Sequence, residues 1–446
     1  MTRLAETALV VGMGVSGEAV ARHLRDRGAR VRAVDDAPGE DAHRRAAAVG
    51  LDLTVAPSEE QLRRLVSEVD VVVPSPGVPE AHPVFRIAAE LGKPVRGEVE
   101  LAARWARRPL VAVTGTNGKT TVTELVAAML TASGRRAIAA GNIGLPLSDA
   151  VRRDVEVVVV EVSSFQLRFT DSFHPAVAVW LNLAEDHLDW HGDLESYAAA
   201  KAKVWANQDR HDVAVVNADD PVVMRWAAQA PSRLVTFGLE GQADYCVKDG
   251  HLMGPDGPLV AVSELPRTLP HDLANGLAAA AAARAAAASP EGIAEALRRF
   301  TGLAHRVTLV AEAEGVRWYD DSKATNPHAA LAALRAFDSV VLIAGGRNKG
   351  LDLAPLAEAA DRLRGVVAIG ESAPHVARVF EGARPVVTAA TMGEAVQAAA
   401  ELARAGDVVL LSPACASFDR YRSYVERGED FAAAVRARVK DGNGAR

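Results

Sequence analysis

The chain has 446 residues, 49% of them hydrophobic, and a net charge of −7. That length fits about two to four domains with substantial cores, no stretch approaches the roughly 18 uninterrupted apolar residues of a membrane span, and the acidic balance argues against a general nucleic-acid binder. Two cysteines, Cys246 and Cys415, cannot build a disulfide framework, and Met1-Thr2-Arg3-Leu4-Ala5-Glu6 runs into a strand without the layout of a signal peptide; both readings fit a reducing cytoplasm.

Residues 1–97 read as alternating short strands and helices. Strand 8–11 leads into Gly12-Met13-Gly14-Val15-Ser16-Gly17 and a helix to Arg27, strand 30–34 ends at Asp35-Asp36, and strand 69–73 ends at Pro74-Ser75-Pro76-Gly77. Such alternation implies a parallel, Rossmann-like sheet with ligands at the carboxyl ends of its strands. The glycine turn with Asp35 matches the dinucleotide fingerprint. Alone it fits an NAD-dependent dehydrogenase; it equally fits a nucleoside diphosphate, or a purely structural turn.

Residues 98–302 begin with a helix over 98–106. An apolar β-branched run, Val111-Ala112-Val113, then feeds Thr114-Gly115-Thr116-Asn117-Gly118-Lys119-Thr120-Thr121 and a helical pattern. A strand, a glycine turn and a helix in this order aim backbone N–H groups and a lysine at phosphates, with the Thr120 hydroxyl placed for Mg²⁺. Val113 stands where the full phosphate-loop pattern has its first glycine. Strand 155–160 delivers Glu161, whose carboxylate beside a phosphate loop suits Mg²⁺. Strand 176–181 delivers Asn182-Leu183-Ala184-Glu185-Asp186-His187-Leu188-Asp189-Trp190-His191; its histidines lack zinc-helix spacing, so a hard cation or phosphate fits better. Lys201 reads as a helical surface lysine. Residues 240–265 are rich in glycine, aspartate and proline and predict hairpins or loops, and the alanine run 276–288 predicts a close-packed helix.

Residues 303–446 form a third α/β unit, with parallel strands over 339–344, 365–369 and 407–411. Its loops are Leu303-Ala304-His305-Arg306, Asp320-Asp321-Ser322-Lys323-Ala324-Thr325-Asn326, Gly345-Gly346-Arg347-Asn348-Lys349-Gly350 and Ser412-Pro413-Ala414-Cys415-Ala416-Ser417-Phe418-Asp419, with Tyr424 nearby. Several such loops at the strand ends of one unit make a binding mouth. Cys415 reads as packing, since nothing nearby in sequence marks a reactive thiol. The polar end 441–446 predicts fraying. Of the 50 basic residues eight are lysines, and Lys119, Lys201, Lys323 and Lys349 all fall inside these motifs.

In this order the motifs resemble the muramyl (Mur) ligase family of peptidoglycan synthesis over nearly the whole chain. Gly115 to Thr121, Glu161, Asp186-His187 and His305-Arg306 resemble the wider family, which includes folylpolyglutamate synthase. Ser163-Ser164-Phe165-Gln166-Leu167, the loop from Asp321 to Asn326, Leu411 to Ser417, and Gly141-Asn142-Ile143-Gly144 resemble its D-glutamate-adding branch.

The resemblance implies three α/β domains: an N-terminal Rossmann-like parallel sheet over 1–97 binding a UDP-substrate, a central P-loop-type ATPase over 98–302, and a C-terminal Rossmann-like domain over 303–446 binding the incoming amino acid. It implies a monomeric cytoplasmic enzyme that joins D-glutamate to UDP-N-acetylmuramoyl-L-alanine with ATP and two Mg²⁺ sites; the alternative is a sister Mur-family ligase or folylpolyglutamate synthase with another acceptor or amino acid. No nucleic-acid partner and no membrane insertion are expected. Carried over by position, Gly115, Thr116, Asn117, Gly118, Lys119, Thr120, Thr121, Asn275, Arg306 and Asp321 bind ATP, with Lys119 at the γ-phosphate. Thr120, Glu161, His187 and a carbamylated Lys201 serve the metals, and Lys119, His187 and Lys201 are the catalytic group. Val15, Ser16, Asp35, Asp36, Gly77 and Asn142 hold the UDP-sugar, while Lys323, Thr325, Lys349, Ser417, Phe418 and Tyr424 surround D-glutamate.

Overall fold

The computed structural model of the chain describes residues 7–240 and 242–444. The readings that touch residues 1–6, Gly241 and 445–446 lie outside these, as do those on the side chains of Asp189 and of 441–444. The chain divides into two compact units: Met1–Leu183, Trp190–Thr268 and Asp272–Phe300 in the first, and Ala184–Asp189, Leu269–His271 and Thr301–Arg446 in the second.

Unit 1 contains two parallel sheets. Strands β1 (Thr7–Val11), β2 (Arg30–Asp35), β3 (Leu53–Val55) and β4 (Val71–Pro74) lie in the order β3-β2-β1-β4, all parallel. Side chains alternate across a strand, so Ala8 and Val10 enter one core cluster while Leu9 and Val11 enter another on the opposite face. A strand apolar on both faces is what a sheet covered on both sides requires.

The second sheet comprises β5 (Leu110–Thr114), β6 (Ala137–Gly141), β7 (Val157–Glu161), β8 (Val177–Trp180), β9 (Val213–Asn217) and β10 (Arg233–Phe237). Its order is β10-β9-β8-β5-β7-β6, again parallel. The same alternation divides the four valines of β7, with Val157 and Val159 on one face and Val158 and Val160 on the other. The glycine- and proline-rich stretch forms the antiparallel strands β11 (Cys246–Lys248), β12 (His251–Gly254) and β13 (Gly257–Ala261). The alanine run expected as a helix over 276–288 is helical as far as Ala285, in the helix Pro270–Ala285, and its last three residues lie beyond it. Its alanines 278–283 are buried in the same core as Val111 and Val113, and their small side chains admit a closely packed helix without loss of helix propensity.

Unit 2 carries β14 (Thr308–Ala313), β15 (Val316–Asp320), β16 (Val340–Gly345), β17 (Leu363–Ile369), β18 (Val386–Ala389) and β19 (Val408–Leu411), in the order β14-β15-β19-β16-β17-β18. The strands expected near 339–344, 365–369 and 407–411 are β16, β17 and β19, and they are parallel neighbours as expected. The hairpin of β14 with β15 adds an antiparallel edge that the sequence reading did not assign. The fold class is therefore α/β, as the sequence implied.

Candidate active site

Strand β5 occupies an inner position of its sheet, so its carboxyl end opens among the ends of β7 and β8. There the chain turns through Gly115 to Gly118 and enters the helix Lys119–Ala132. Gly118 has φ of +85°, a left-handed value that side chains resist, and a Cβ there would lie 2.5 Å from Asn275 Oδ1. The turn is braced from the end of β8. Asn182 Oδ1 accepts from Thr116 N at 3.1 Å and Asn117 N at 2.8 Å, and Asn182 Nδ2 donates to Asn117 O at 3.1 Å.

Two lysines reach this turn. Lys119 Nζ donates to Gly115 O at 3.0 Å and Thr116 O at 2.9 Å. Lys201 is 1% exposed, and its Nζ donates to Gly115 O at 2.8 Å and stands 4.4 Å from the centre of the Tyr197 ring. The surface reading of Lys201 from its helix alone is thus overturned: the helix Leu194–Ala202 buries it against the phosphate loop. Nearby, His191 Nε2 pairs with Ser164 Oγ at 2.9 Å. Burial, with the positive charge of Lys201, pushes the His191 pKa down to about 4, so this imidazole is neutral at physiological pH.

Glu161 is 2% exposed and pairs in register with Val113 across the sheet. Its Oε1 accepts from Asn142 Nδ2 at 3.0 Å, while its buried Oε2 has no hydrogen-bond donor among the described residues. A buried carboxylate oxygen without a donor is costly unless a cation completes it. Hard-cation chemistry fits this position, with Thr120 in the first turn of the adjoining helix.

A cavity of about 720 Å³ opens at the carboxyl ends of β1, β2 and β4, and Val15, Ser16, Asp35, Asp36, Gly77 and Asn142 all line it. The Asp35 carboxylate accepts from Met13 N at 2.9 Å and Ala37 N at 3.2 Å, so it also shapes the glycine turn. Asp36 pairs with His82 Nε2 at 2.9 Å. Because His82 Nδ1 accepts from Val84 N at 3.1 Å, the Nε2 proton donates to Asp36 and fixes the tautomer.

In unit 2 the loops after β15, β16 and β19 converge. Asp321 accepts from Ser412 Oγ at 2.8 Å and Val307 N at 3.3 Å; burial pushes its pKa up to about 7. The neighbouring His305 Nδ1 pairs with Asp320 Oδ2 at 2.6 Å. Lys323 Nζ lies 4.9 Å from the centre of the Tyr424 ring. Thr325 and Lys349 are half-buried and Ser417 is buried, while Phe418 is 63% exposed. Asp186 is buried; it accepts from Asn326 Nδ2 at 3.0 Å and pairs with Lys349 Nζ at 3.4 Å. His187 follows it with φ of +56°. A non-glycine residue is uncommon in that left-handed region. His305, Val307 and Ala414 share positive φ values in this unit.

The structure therefore gathers the six cavity residues together, Gly115 to Thr121 with Asn275, Glu161 and Lys201, and the unit 2 set around Asp321, Lys323 and Ser417. The sequence reading named Asn182 and Asn326 only as members of their loops and assigned no role to His82 or Arg427. For the two asparagines, their places in strand-end loops already singled out were an available signal; the other two leave none.

Three regions of the chain match known domain families. Residues 6–97 match the Mur ligase MurD-like, N-terminal domain, 113–283 the Mur ligase middle domain, and 305–415 the Mur ligase, glutamate ligase domain. A protein of Frankia casuarinae named UDP-N-acetylmuramoylalanine–D-glutamate ligase is 50% identical, covering 96% of this chain and 94% of its own length. One of the same name from Thermobifida fusca is 43% identical, with 96% and 97% covered. Among solved structures, the UDP-N-acetylmuramate-alanine ligase of Thermotoga maritima shares the fold, with a TM-score of 0.61 at 19% identity over 97% of this chain and 99% of that one. The chain belongs to the Mur ligase family.

Proposed function

We propose that this chain is an ATP-dependent amide ligase that adds D-glutamate to UDP-N-acetylmuramoyl-L-alanine, releasing ADP and phosphate, in peptidoglycan precursor synthesis. The observation that carries the reading is the 50% identity, over 96% of the chain, to a relative bearing that activity in its name. Three domains over 1–97, 98–302 and 303–446, a monomeric state and a cytoplasmic location belong to the same reading. No helix of the described residues is long and apolar enough to cross a membrane.

In this reading the cavity lined by Val15, Ser16, Asp35, Asp36, Gly77 and Asn142 takes the UDP moiety. The backbone N–H groups of the Gly115 to Thr121 turn and Lys119 take the ATP phosphates, and Asn275, Arg306 and Asp321 take the rest of the nucleotide. Thr120 and Glu161 would hold one Mg²⁺, and His187 with a carbamylated Lys201 a second. These ions supply charge neutralisation for clustered phosphate and carboxylate oxygens. A carboxylate is a poor electrophile, so its oxygen first attacks the γ-phosphorus and the bond to ADP breaks, giving an acyl phosphate. Lys323, Thr325, Lys349, Ser417, Phe418 and Tyr424 orient D-glutamate. Its amine nitrogen then attacks the acyl carbon, loses a proton, and phosphate leaves from the tetrahedral intermediate. Lys119 stabilises charge developing on the transferred group.

The test is an amino-acid and acceptor panel in a coupled phosphate-release assay. Release with UDP-N-acetylmuramoyl-L-alanine and D-glutamate supports the reading. Release only with another amino acid or acceptor assigns a sister ligase instead.

A further inference from the structure

Arg427 is 1% exposed and lies one helical turn beyond Tyr424 in the helix Tyr424–Gly444. All of its hydrogen-bond partners among the described residues are uncharged, while the carboxylates of Asp419 and Asp320 act on it only at longer range. Nε donates to Ser322 Oγ at 2.9 Å, Nη2 to Ser322 O at 2.7 Å and Nη1 to Cys415 O at 3.1 Å. The nearby carboxylates are engaged elsewhere, Asp320 with His305 and Asp419 with Glu371 N. Among the described residues no carboxylate comes within ion-pair distance of this guanidinium. Burial pushes its pKa down to about 10, so it remains a cation at neutral pH. A buried charge without a counter-ion in contact is expensive.

The guanidinium sits where three strand-end loops meet. Ser322 precedes Lys323 after β15, and Cys415 lies two residues before Ser417 after β19. The loop after β16, which carries Lys349, approaches through Gly346. A Cβ at Gly346 would lie 3.1 Å from Arg427 Nη1 and 2.3 Å from Ala416 O; φ there is +133°. Arg347 and Ala416 bind each other in both directions, at 2.9 and 3.0 Å. Asp321, by contrast, has its own supports in Ser412 and Val307, so the nucleotide contact does not hang on Arg427.

We propose that Arg427 is a positioning residue of the amino-acid pocket: its planar fork holds the loops of Lys323, Lys349 and Ser417 in register, and its positive charge, with no carboxylate in contact, favours a dicarboxylate amino acid among them. The proposal rests on the assignment of these loops to the incoming amino acid. A lysine keeps the charge but cannot form the three-point fork, and a methionine keeps only bulk.

The experiment measures steady-state constants for each substrate in the full-length protein. Arg427→Lys is expected to raise KM for D-glutamate about tenfold and Arg427→Met about a hundredfold, with kcat and the KM values for ATP and the UDP-substrate changed less than about threefold. Should the methionine variant not fold, Ser322→Ala, which removes the Nε acceptor and leaves the charge, is expected to raise KM for D-glutamate about threefold. Equal rises in all three KM values, or a lowered melting temperature with an unchanged KM for D-glutamate, would overturn the proposal. Wild-type protein that shows no D-glutamate-dependent release would instead bring down the functional assignment beneath it.

Discussion

Glu98 begins the helix Glu98–Trp105 and is fully buried. Its Oε1 accepts from Ser148 N at 2.5 Å, and its Oε2 has no donor among the described residues. Burial pushes its pKa up to about 7. A carboxyl whose folded pKa lies above its unfolded value stabilises most below the unfolded value and loses that contribution as pH rises through the folded one. The window here runs from about pH 4.5 to about 7. Glu98→Gln should therefore melt higher than wild type at pH 8 and close to it at pH 5; each 1 kcal/mol of difference amounts to about 2–4 °C in a domain of this size. A gap in melting temperature that stays constant over this range would contradict the assignment. At the same scale, Lys201→Ala should lose most activity in a phosphate-release assay while nucleotide titration still shows ATP binding. Full activity of that variant without added carboxylate or carbon dioxide would rule out a carbamate role. Lys201 drew attention through the family resemblance, because a lysine on an alanine-rich helix carries no local mark of burial. Glu98 and Arg427 drew none, since a lone charge in sequence looks alike whether solvated or buried.

The element that carries most weight is the turn between β5 and the helix Lys119–Ala132. Its geometry depends on Gly118, and Gly118→Ala combines a left-handed backbone cost of about 1–2 kcal/mol with a Cβ 2.5 Å from Asn275 Oδ1. ATP affinity should fall about tenfold or more, measured by titration with a non-hydrolysable analogue; affinity within twofold of wild type would show that the turn tolerates a side chain. This turn was legible because β-branched residues, two glycines, a lysine and threonines follow one another in a short span. The strands around it were legible from their valine runs. The β14–β15 hairpin was not. Its turn, Glu314-Gly315, has φ values of +54° and +75°, and the alternation in β15 puts Val316, Trp318 and Asp320 inward while Arg317 is exposed. A reading tuned to strand–helix alternation passes over a two-residue hairpin at a sheet edge.

Across the whole molecule, the parallel sheets deliver the chemistry-bearing residues at the carboxyl ends of their strands, as parallel topology requires. The cavity at β1, β2 and β4 gathers six residues spread from Val15 to Asn142, and the mouth of unit 2 gathers loops separated by about a hundred residues. Sequence order shows which loops exist; only the crossing order β15-β19-β16 brings Lys323, Ser417 and Lys349 to neighbouring strand ends. The family resemblance supplied that neighbourhood in advance, and periodicity alone could not have. The proposed ligase is selective for the D-isomer of glutamate. Its most direct test is phosphate release with ATP, Mg²⁺ and UDP-N-acetylmuramoyl-L-alanine, comparing D-glutamate with L-glutamate. Release that depends on D-glutamate and is absent with L-glutamate is the predicted result; equal release with both, or none with either while ATP still binds, would contradict the account.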